Sequence, residues 1–581
     1  MAIHSRGRRF SLSHSYFAFL SRRKASDRLL FVIACIALLV SGIYAIRAVN
    51  AHFATNVPIS GGSFTEGIVG IPRFVNPVLA INRADHDMVA LIYSGLLKID
   101  ENGNLVPDVA ESVTLSDDGL TYHVVLRHGV RFQDGSELTA KDVAYTIGLI
   151  QNPELKSPLL GNWDGVQVNV IDDYTMDIIL QEPYTPFKEN LTFGILPRSL
   201  WSSLPAEQVP FSQNNTEPIG SGPYKITSVV HSKSGLITSY KLAAFNDGKS
   251  TPNITSLAFN FYETDQDLLK ALADGAIAST PSLSTDELAQ VDTTKYAIEK
   301  TPLPRTFAVY FNENKSAALR DDSVRKALDA AIDKDQLVAT VLKGYGIPTN
   351  SPIPPGFLDV ESTSSSQDRP GTTTDPISRA AAILTAGGWK KTDAGWQKEI
   401  DKDTVTLSVS LSTASTSLFD STANYIANAW KTLGVAVTVN EFEQADLVQA
   451  AIRPRDFEAL LYGADIGRQA DLYPFWHSSQ KSDPGLNIAQ YANIDADALL
   501  QKARTAADEK SREENLTKAA DIIANEHPAI FLFVPTFNYV IDKNIAIAPL
   551  QKLGDPSDRF ANIAAWYTRS NDLWPIFSNK K

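Results

Sequence analysis

The sequence predicts an α/β fold preceded by one transmembrane helix, and two observations support this class. Residues 29–46 form an uncharged apolar run, after which no second run of that length appears. Between residues 404 and 463, strand-like and helix-like segments alternate, which is typical of a sheet covered by helices. With 581 residues, the chain is long enough for more than one domain.

The balance of residue types is that of a globular protein with an acidic body. Hydrophobic residues make up 44% of the chain and charged residues 20%, and the net charge is −13. Residues 1–28 hold seven Lys or Arg and one acid, a net +6, so the remainder carries −19. A body this acidic excludes nucleic acid as a partner, because phosphate binding needs a basic surface. Cys35 is the single cysteine, so neither an intrachain disulfide nor a cysteine metal site is expected.

The apolar run predicts a membrane anchor. Its eighteen residues would span roughly 27 Å as a helix, about the thickness of the hydrocarbon core. The basic residues before it, with only Arg47 close behind, predict a cytoplasmic N-terminus and an exported body. The chain is therefore interpreted as a basic cytoplasmic tail (1–28), a transmembrane anchor (29–46), a tether (47–59) and an extracellular or periplasmic body.

A cleaved signal peptide is the alternative interpretation of this segment. The preceding tail is long, and the run exceeds the usual apolar region of a signal peptide. The residues Val49-Asn50-Ala51 form only a passable cleavage site. An uncleaved, single-pass anchor in the cell membrane is therefore favoured.

Local patterns predict several elements of the body. Thr139 and Asp142 have the spacing of a capping box, which predicts a helix beginning there. Residues 166–181 alternate in polarity around an acidic turn and predict a β-hairpin. Apolar residues repeat on one face over 321–344, which predicts a single long helix. Residues 349–376 are rich in Ser, Thr and Pro and predict a surface loop.

Motifs of enzymes are not found. The sequence has no Gly-x-Ser-x-Gly elbow, no phosphate-binding loop ending in Gly-Lys-Ser/Thr and no His-Glu-x-x-His pair. The nine histidines are scattered. Carboxylates are plentiful, so a pair of the glycosidase kind stays open, although nothing isolates one. The sequence therefore predicts a protein that is not an enzyme and that carries neither cofactor nor metal.

Eight segments resemble a known family, in the family's order, between residues 60 and 545. They include GGSFTEG at the start, EPIGSGPYKI in the middle and LLYGAD further on, and their ranges are 61–80, 85–147, 217–226, 320–346, 380–389, 428–439, 456–465 and 527–540. The family is that of the extracellular solute-binding proteins of family 5, the peptide- and nickel-binding components of ATP-driven importers.

The resemblance implies a two-lobed fold of the periplasmic-binding-protein kind (class II type) with an extra N-terminal subdomain. Ligand would bind between the lobes, and hinge closure would bury it. It implies a peptide ligand, a monomer, and as partners the permease subunits of an ABC importer with their cytoplasmic ATPases. The implied divisions are lobe I (60–99, 219–302 and 531–575), the subdomain (100–218) and lobe II (303–530).

The resemblance also implies six ligand-binding residues. In relatives that bind peptides, the aspartate matching Asp465 pairs with the peptide α-ammonium; the alternative is that Asp465 caps a turn before Ile466-Gly467. Tyr462 and Gly463 would offer backbone groups to an extended peptide. A segment of the first lobe would form the opposite edge, namely Ala80, Ile81 and Asn82.

One position departs from the pattern of the oligopeptide-binding members. They carry an arginine six residues before the aspartate, where this chain has Ala459. Arg468 follows Asp465 by three residues and is a candidate for a ligand carboxylate, although a solvated surface charge is favoured. The ligand class therefore stays open to a sugar or a metal chelate, and a receptor that senses ligand without transport is an alternative function. A surface hydrolase is a third hypothesis.

Overall fold

The computed structural model describes residues 24–53, 55–246, 251–359, 375–506 and 508–573. Most of the predicted basic tail, residues 1–23, lies outside the described residues. The same is true of residues 360–374 in the predicted surface loop and of residues 574–575 at the end of the predicted lobe I.

Helices occur from the membrane segment to the C-terminal part of the body. Within the described residues they are, in chain order, α1 (Ala25–Phe53), α2 (Arg83–Ile92), α3 (Ala140–Ile150), α4 (Leu160–Trp163), α5 (Arg198–Trp201), α6 (Asp265–Ala273), α7 (Thr285–Leu288), α8 (Asp322–Ala330), α9 (Lys334–Val341), α10 (Pro376–Ala386), α11 (Ser417–Leu433), α12 (Gln444–Leu447), α13 (Tyr473–Trp476), α14 (Ile494–Arg504) and α15 (Glu509–Glu526).

Strands are distributed over the same length. They are, in chain order, β1 (Thr55–Pro58), β2 (Ser63–Val69), β3 (Leu97–Ile99), β4 (Leu105–Pro107), β5 (Ala110–Leu115), β6 (Thr121–Leu126), β7 (Gln167–Val170), β8 (Thr175–Ile179), β9 (Tyr224–His231), β10 (Ile237–Ala244), β11 (Ser256–Tyr262), β12 (Ser279–Thr280), β13 (Tyr296–Pro302), β14 (Arg305–Phe311), β15 (Gly346–Pro348), β16 (Lys390–Thr392), β17 (Gly395–Ile400), β18 (Asp403–Thr406), β19 (Ser408–Ala414), β20 (Ala436–Phe442), β21 (Ala459–Asp465), β22 (Ala529–Asp542) and β23 (Ser570–Leu573).

The N-terminal unit contains the predicted membrane helix. The described residues up to Ile59 and from Arg569 onward form one unit, and those within Ser60–Thr568 form the other. Helix α1 includes the window Leu29–Ala48, which has a mean hydropathy of 2.8 and no buried residues. Within the predicted tether, residues 47–53 continue this helix and β1 pairs antiparallel with β23.

The body is built on a mixed sheet that runs through two lobes. Its strand order is β20-β19-β21-β14-β22-β12-β2-β11-β10-β9, and β13 and β15 also pair with β22. We call the part around β2, β9–β13 and residues 536–542 the first lobe. The part around β14, β19–β21 and residues 529–535 is the second lobe, and the part around β5–β8 is the subdomain. The predicted α/β class is confirmed.

Each lobe has its own core. The first lobe and the subdomain share one hydrophobic cluster, which includes Phe64, Trp163 and Trp566. The first lobe has a second cluster, which includes Leu268 and Val540. The second lobe has two clusters on opposite faces of its sheet. Its β19–α11–β20 segment is a parallel βαβ unit, as the alternation of strand and helix predicts.

The subdomain sheet confirms two local predictions. Its strand order is β5-β6-β8-β7, and β7 and β8 are the antiparallel hairpin predicted within 166–181. Helix α3 begins with the predicted capping box, in which Asp142 accepts hydrogen bonds from both the backbone N–H and the hydroxyl of Thr139.

The prediction of one long helix over 321–344 is wrong. The segment forms α8 and α9, and Asp333 lies in the break between them. The Asp333 carboxylate accepts a hydrogen bond from the backbone N–H of Gln336 at 2.9 Å, so it caps a new helix. The apolar face continues across the break, which is why periodicity alone did not reveal it.

Gly220 and Gly222 lie where two backbone segments approach each other closely. A Cβ at Gly220 would lie 2.1 Å from the backbone oxygen of Ile92, and one at Gly222 would lie 2.6 Å from its carbonyl carbon. Both φ values are outside the left-handed region, so close backbone approach is the reason for these glycines. The segment therefore packs directly on the C-terminal end of α2.

A fully buried ionic cluster joins distant segments of the first lobe. The Arg559 guanidinium donates to both oxygens of Asp87, at 2.6 and 2.7 Å, and also to Glu66. The hydroxyls of Tyr539 and Ser279 donate to the other oxygen of Glu66, at 2.7 and 2.9 Å. Burial raises the pKa of Glu66 even though Arg559 opposes that shift. Burial lowers the pKa of Arg559, but Asp87 and Glu66 outweigh this effect and raise it.

We expect Arg559→Met to destabilise the body strongly. The substitution leaves Glu66 and Asp87 buried without their cation, and breaking a buried pair in this way costs about 3–5 kcal/mol. The free energy of unfolding in urea, measured on residues 58–581, checks this expectation.

Lys326→Ala is the matched control, because it removes an exposed ion pair with Asp322 within α8. Exposed pairs of this kind contribute little to stability, so its unfolding midpoint should stay near that of the wild type. Equal midpoints for the two variants would show that the Arg559 cluster does not stabilise the fold.

Candidate functional site

A cavity of about 710 Å³ lies where the first lobe, the subdomain and a loop of the second lobe meet. Sites of this size, enclosed between parts of a protein, are typical of small-molecule and peptide ligands.

The first-lobe wall is formed by the segment before α2 and by the exposed side of this helix. Asn82 is the N-cap of α2; its side chain accepts a hydrogen bond from the backbone N–H of Asp85 at 2.8 Å. The Asp85 carboxylate accepts the backbone N–H groups of Arg73 and Phe74, at 2.7 and 2.9 Å. These bonds fix the chain at its entry into the helix, and Ile81, which lines the cavity, is left 72% exposed.

The subdomain wall is aromatic. Trp163 is buried and packs edge-on against Phe187 and Phe193, with ring centroids 5.1 and 5.0 Å apart. Tyr184 also lines the cavity. Burial and the nearby Asp471 carboxylate raise the pKa of the Tyr184 hydroxyl, so this group is a neutral hydrogen-bond donor at ordinary pH. The wall therefore combines rigid apolar surface with a polar rim.

The second-lobe wall is the loop that follows β21. It contributes Ile466, Gly467, Gln469 and Asp471 to the cavity. Its backbone is anchored by the N–H of Ile466, which donates to the carbonyl of Pro304 at 2.8 Å. The loop is thus a continuation of the sheet rather than a free segment.

The six predicted site residues divide into two groups. Ala80 and Ile81 line the cavity. The other four do not line it: Asn82 follows Ile81 and Asp465 precedes Ile466 in the chain, whereas Tyr462 and Gly463 lie earlier on β21.

Asp465 is held by two partners at the end of β21. One carboxylate oxygen is 3.0 Å from the Arg305 guanidinium, and the other accepts the backbone N–H of Gly467 at 3.1 Å. The turn before Ile466-Gly467 is therefore capped as the alternative interpretation expected. The Asp465 side chain is 45% exposed, and a carboxylate has about four acceptor positions, so it retains capacity for a ligand ammonium. That role stays a prediction.

Tyr462 and Gly463 lie on a strand with an open edge. Strand β21 pairs with β14 along its whole length, whereas in the described residues β19 pairs only with Ala459 and Leu460. The backbone from residue 461 to residue 465 therefore has one edge without a strand partner. A Cβ at Gly463 would lie 3.2 Å from the Phe307 ring, so this ring packs closely on the strand.

Arg468 is not the solvated surface charge that was favoured. It is 6% exposed and forms ion pairs with Glu189 and Asp558. The prediction failed because the partners of Arg468 come from segments far away in the sequence. Ala459, at the position of the relatives' arginine, is fully buried in β21.

Sequence reasoning also missed charged residues of the cavity. Glu189, Asp558 and Lys98 line it, and the Lys98 ammonium is 3.9 Å from the Asp108 carboxylate. No sequence motif marks these positions, because they meet only through the packing of the subdomain on the first lobe. Only the three-dimensional structure shows that these residues line one cavity.

The chain is similar to known solute-binding proteins over most of its length. Residues 104–484 match the family described as bacterial extracellular solute-binding proteins, family 5 Middle. The oligopeptide-binding protein AppA of Bacillus subtilis is 27% identical over 542 residues, which are 90% of this chain and 96% of AppA. The dipeptide-binding protein of Escherichia coli is 24% identical over 85% of this chain and 93% of that protein.

Solved structures agree with these sequence matches. The structure of Bacillus subtilis AppA in complex with a nonapeptide has a TM-score of 0.63 and 26% identity, covering 88% of this chain and 99% of AppA. The structure of the ABC transporter substrate-binding protein CtaP of Listeria monocytogenes has a TM-score of 0.70 and 25% identity. The match covers 88% of this chain and 100% of CtaP. The predicted two-lobed binding-protein fold is confirmed.

The capping role of Asn82 gives a test of the first-lobe wall. We expect Asn82→Ala to lower the free energy of unfolding by about 1 kcal/mol, because α2 loses its N-cap. Asn82→Ser should keep most of the wild-type free energy of unfolding, since serine caps helices about as well as asparagine does. Urea unfolding of the two variants measures the difference, and equal losses would contradict the capping role.

Proposed function

The chain belongs to family 5 of the bacterial extracellular solute-binding proteins, a family of receptors rather than enzymes, and we propose that its solute is a peptide. In this proposal the peptide is held between the lobes and delivered to an ABC-type importer, while α1 anchors the receptor in the membrane. No bond is made or broken. The receptor contributes recognition and a change of shape.

The observation that supports a peptide is the open edge of β21, a strand that leads directly into the loop lining the cavity. An extended peptide can add to such an edge through backbone hydrogen bonds, which are independent of the peptide's sequence. Asp465 stands at the end of the same strand, where a carboxylate would pair with the α-ammonium. The strand is followed by Ile466 and Gly467, which line the cavity, and the cavity would take side chains of the peptide. Ala80, Ile81 and Asn82 would form the opposite wall.

The relatives support the same ligand class. AppA of Bacillus subtilis is named as an oligopeptide-binding protein and has been solved with a nonapeptide. A metal chelate is the competing class, and the NikZ structure of Campylobacter jejuni contains Ni(L-His), although at 24% identity that likeness concerns the fold alone. Among the described residues, no group of three or more His, Cys, Asp or Glu is placed to hold a metal ion.

The anchor is supported by the length and composition of α1. The helix has 29 residues, and its apolar window of 20 residues is long enough to cross a bilayer. Basic residues precede this window in the sequence, and this charge distribution supports a cytoplasmic N-terminus and an exported body. The chain has no phosphate-binding loop for ATP, so permease and ATPase subunits are the proposed partners.

We expect Asp465→Asn to weaken the binding of peptides with a free α-amine. A hydrogen bond to a charged group contributes about 1.5–3 kcal/mol, so the Kd should rise about 10- to 100-fold. N-acetylated versions of the same peptides should bind the variant and the wild type equally. Isothermal titration calorimetry with both peptide sets measures this.

Arg305→Gln is the control for this substitution. It breaks the same ion pair with Asp465 but leaves the carboxylate in place. The preference for a free α-amine should therefore persist in Arg305→Gln. If Asp465→Asn weakened both peptide sets to the same extent, the ammonium role of Asp465 would be wrong.

The anchor has its own test. We expect the protein from the membrane fraction of its native host to retain residues 29–46, because an uncleaved helix is the proposed anchor. The intact mass of the purified protein measures this directly. A mass corresponding to a chain beginning near residue 50 would show a cleaved signal peptide instead.

A further inference from the structure

Arg468 is a buried charge at a junction of three parts of the body. It belongs to the second-lobe loop 466–471, and its side chain is 4% exposed. Its guanidinium forms ion pairs with Glu189 of the subdomain, at 3.4 Å, and with Asp558 of the first lobe. It also donates a hydrogen bond to the backbone carbonyl of Lys552. One side chain thus bridges the second lobe to both of the other parts.

Both carboxylates are held for this contact. Asp558 also accepts the backbone N–H groups of Gly554 and Asp555, at 2.8 and 2.7 Å. Burial raises the pKa of Asp558 and of Glu189, and Arg468 counteracts the shift at both. A hydrogen bond from the backbone N–H of Gln469 also lowers the pKa of Glu189. These carboxylates therefore depend on the second-lobe loop for compensation of their buried charge.

The surrounding backbone leaves room for the guanidinium. A Cβ at Gly554 would lie 2.8 Å from the Nη2 atom of Arg468 and 3.3 Å from its Cζ atom. A larger residue at position 554 would have to displace the guanidinium from its present position. The guanidinium of this second-lobe residue therefore packs directly against the first-lobe backbone at Gly554.

A second contact crosses the same boundary. The Tyr184 hydroxyl of the subdomain donates to Asp471 of the second-lobe loop at 3.1 Å. Arg504 of the second lobe donates to the same carboxylate at 3.0 Å and lies over the ring of Tyr184 at 4.8 Å. The loop is therefore held at two positions, Arg468 and Asp471.

We propose that Arg468 is a positioning residue that fastens the second-lobe loop 466–471 across the lobe boundary and thereby sets the ratio of closed to open receptor. The loop is one wall of the cavity, so the same contact determines how firmly the cavity is closed. The consequence for ligand retention rests on the proposed function. The effect on closure does not, because it concerns the protein's own contacts.

The distance between the lobes tests the proposal without any ligand. Full-length protein in lipid nanodiscs carries Cys35→Ser, with spin labels on Thr114→Cys in the subdomain and Asn424→Cys in α11, both at exposed positions. Electron paramagnetic resonance then gives the distribution of label distances. In Arg468→Ala we expect the ratio of short to long label distances to fall at least about tenfold. Without the arginine, the Glu189 and Asp558 carboxylates would remain buried without their cation in the closed form. Glu189→Gln should shift it in the same direction.

Arg325→Ala is the matched control. Arg325 is also a buried arginine, 7% exposed, but its partners Leu319 and Glu313 lie in the second lobe. This variant should lose stability and keep the distance distribution of the wild type. Circular dichroism establishes which variants are folded, and if Arg468→Ala does not fold, Glu189→Gln decides the outcome.

The two proposals fail in different ways. An unchanged distance distribution in folded Arg468→Ala or Glu189→Gln, or the same shift in Arg325→Ala, would overturn the role of Arg468. A shift in Arg468→Ala and Glu189→Gln that is absent from Arg325→Ala supports the role of Arg468, whether or not peptides bind. Where peptides do bind, Arg468→Ala should raise their dissociation rate at least about tenfold and leave the association rate within a few-fold, since affinity differences appear mostly in dissociation.

Discussion

The constraint on which the rest of the body depends is one strand that belongs to both lobes. Strand β22 pairs with β14 through residues 529–533 and with β13 through residues 536–542. Its side chains enter every one of the four cores: Phe531 and Leu532 lie on opposite faces of the second-lobe sheet, and Tyr539 and Val540 lie in the two first-lobe clusters. Any rotation between the lobes must therefore be absorbed close to Pro535, where the strand passes from one to the other.

The binding region follows from this arrangement. Because the shared strand holds the lobes side by side, the end of β21 and the loop after it face the first lobe, and the subdomain closes the remaining side. Charges in this region are paired across boundaries, as at Arg468 and Asp558, or lie half-exposed, as at Asp465. The buried pairs hold segments in place, whereas the half-exposed Asp465 carboxylate is the group proposed to meet a ligand. The burial of a carboxylate therefore distinguishes a structural ion pair from a candidate ligand-binding group.

Local signals in the sequence predicted local structure well. The capping box at Thr139, the hairpin within 166–181 and the βαβ unit were predicted because the residues that determine them are close in the chain. The break at Asp333 was missed, since helical periodicity continues across it. The environment of Arg468 was missed for a different reason: its partners are about 280 residues earlier and 90 residues later, and no local pattern encodes such a meeting.

The most direct test of the account is native mass spectrometry of residues 58–581, purified gently from cells. A receptor for peptides should carry a ladder of adducts whose fragments are amino-acid sequences, because backbone recognition tolerates many side chains. A single adduct with the mass of a sugar or a metal chelate would leave the fold as described and contradict the peptide as ligand.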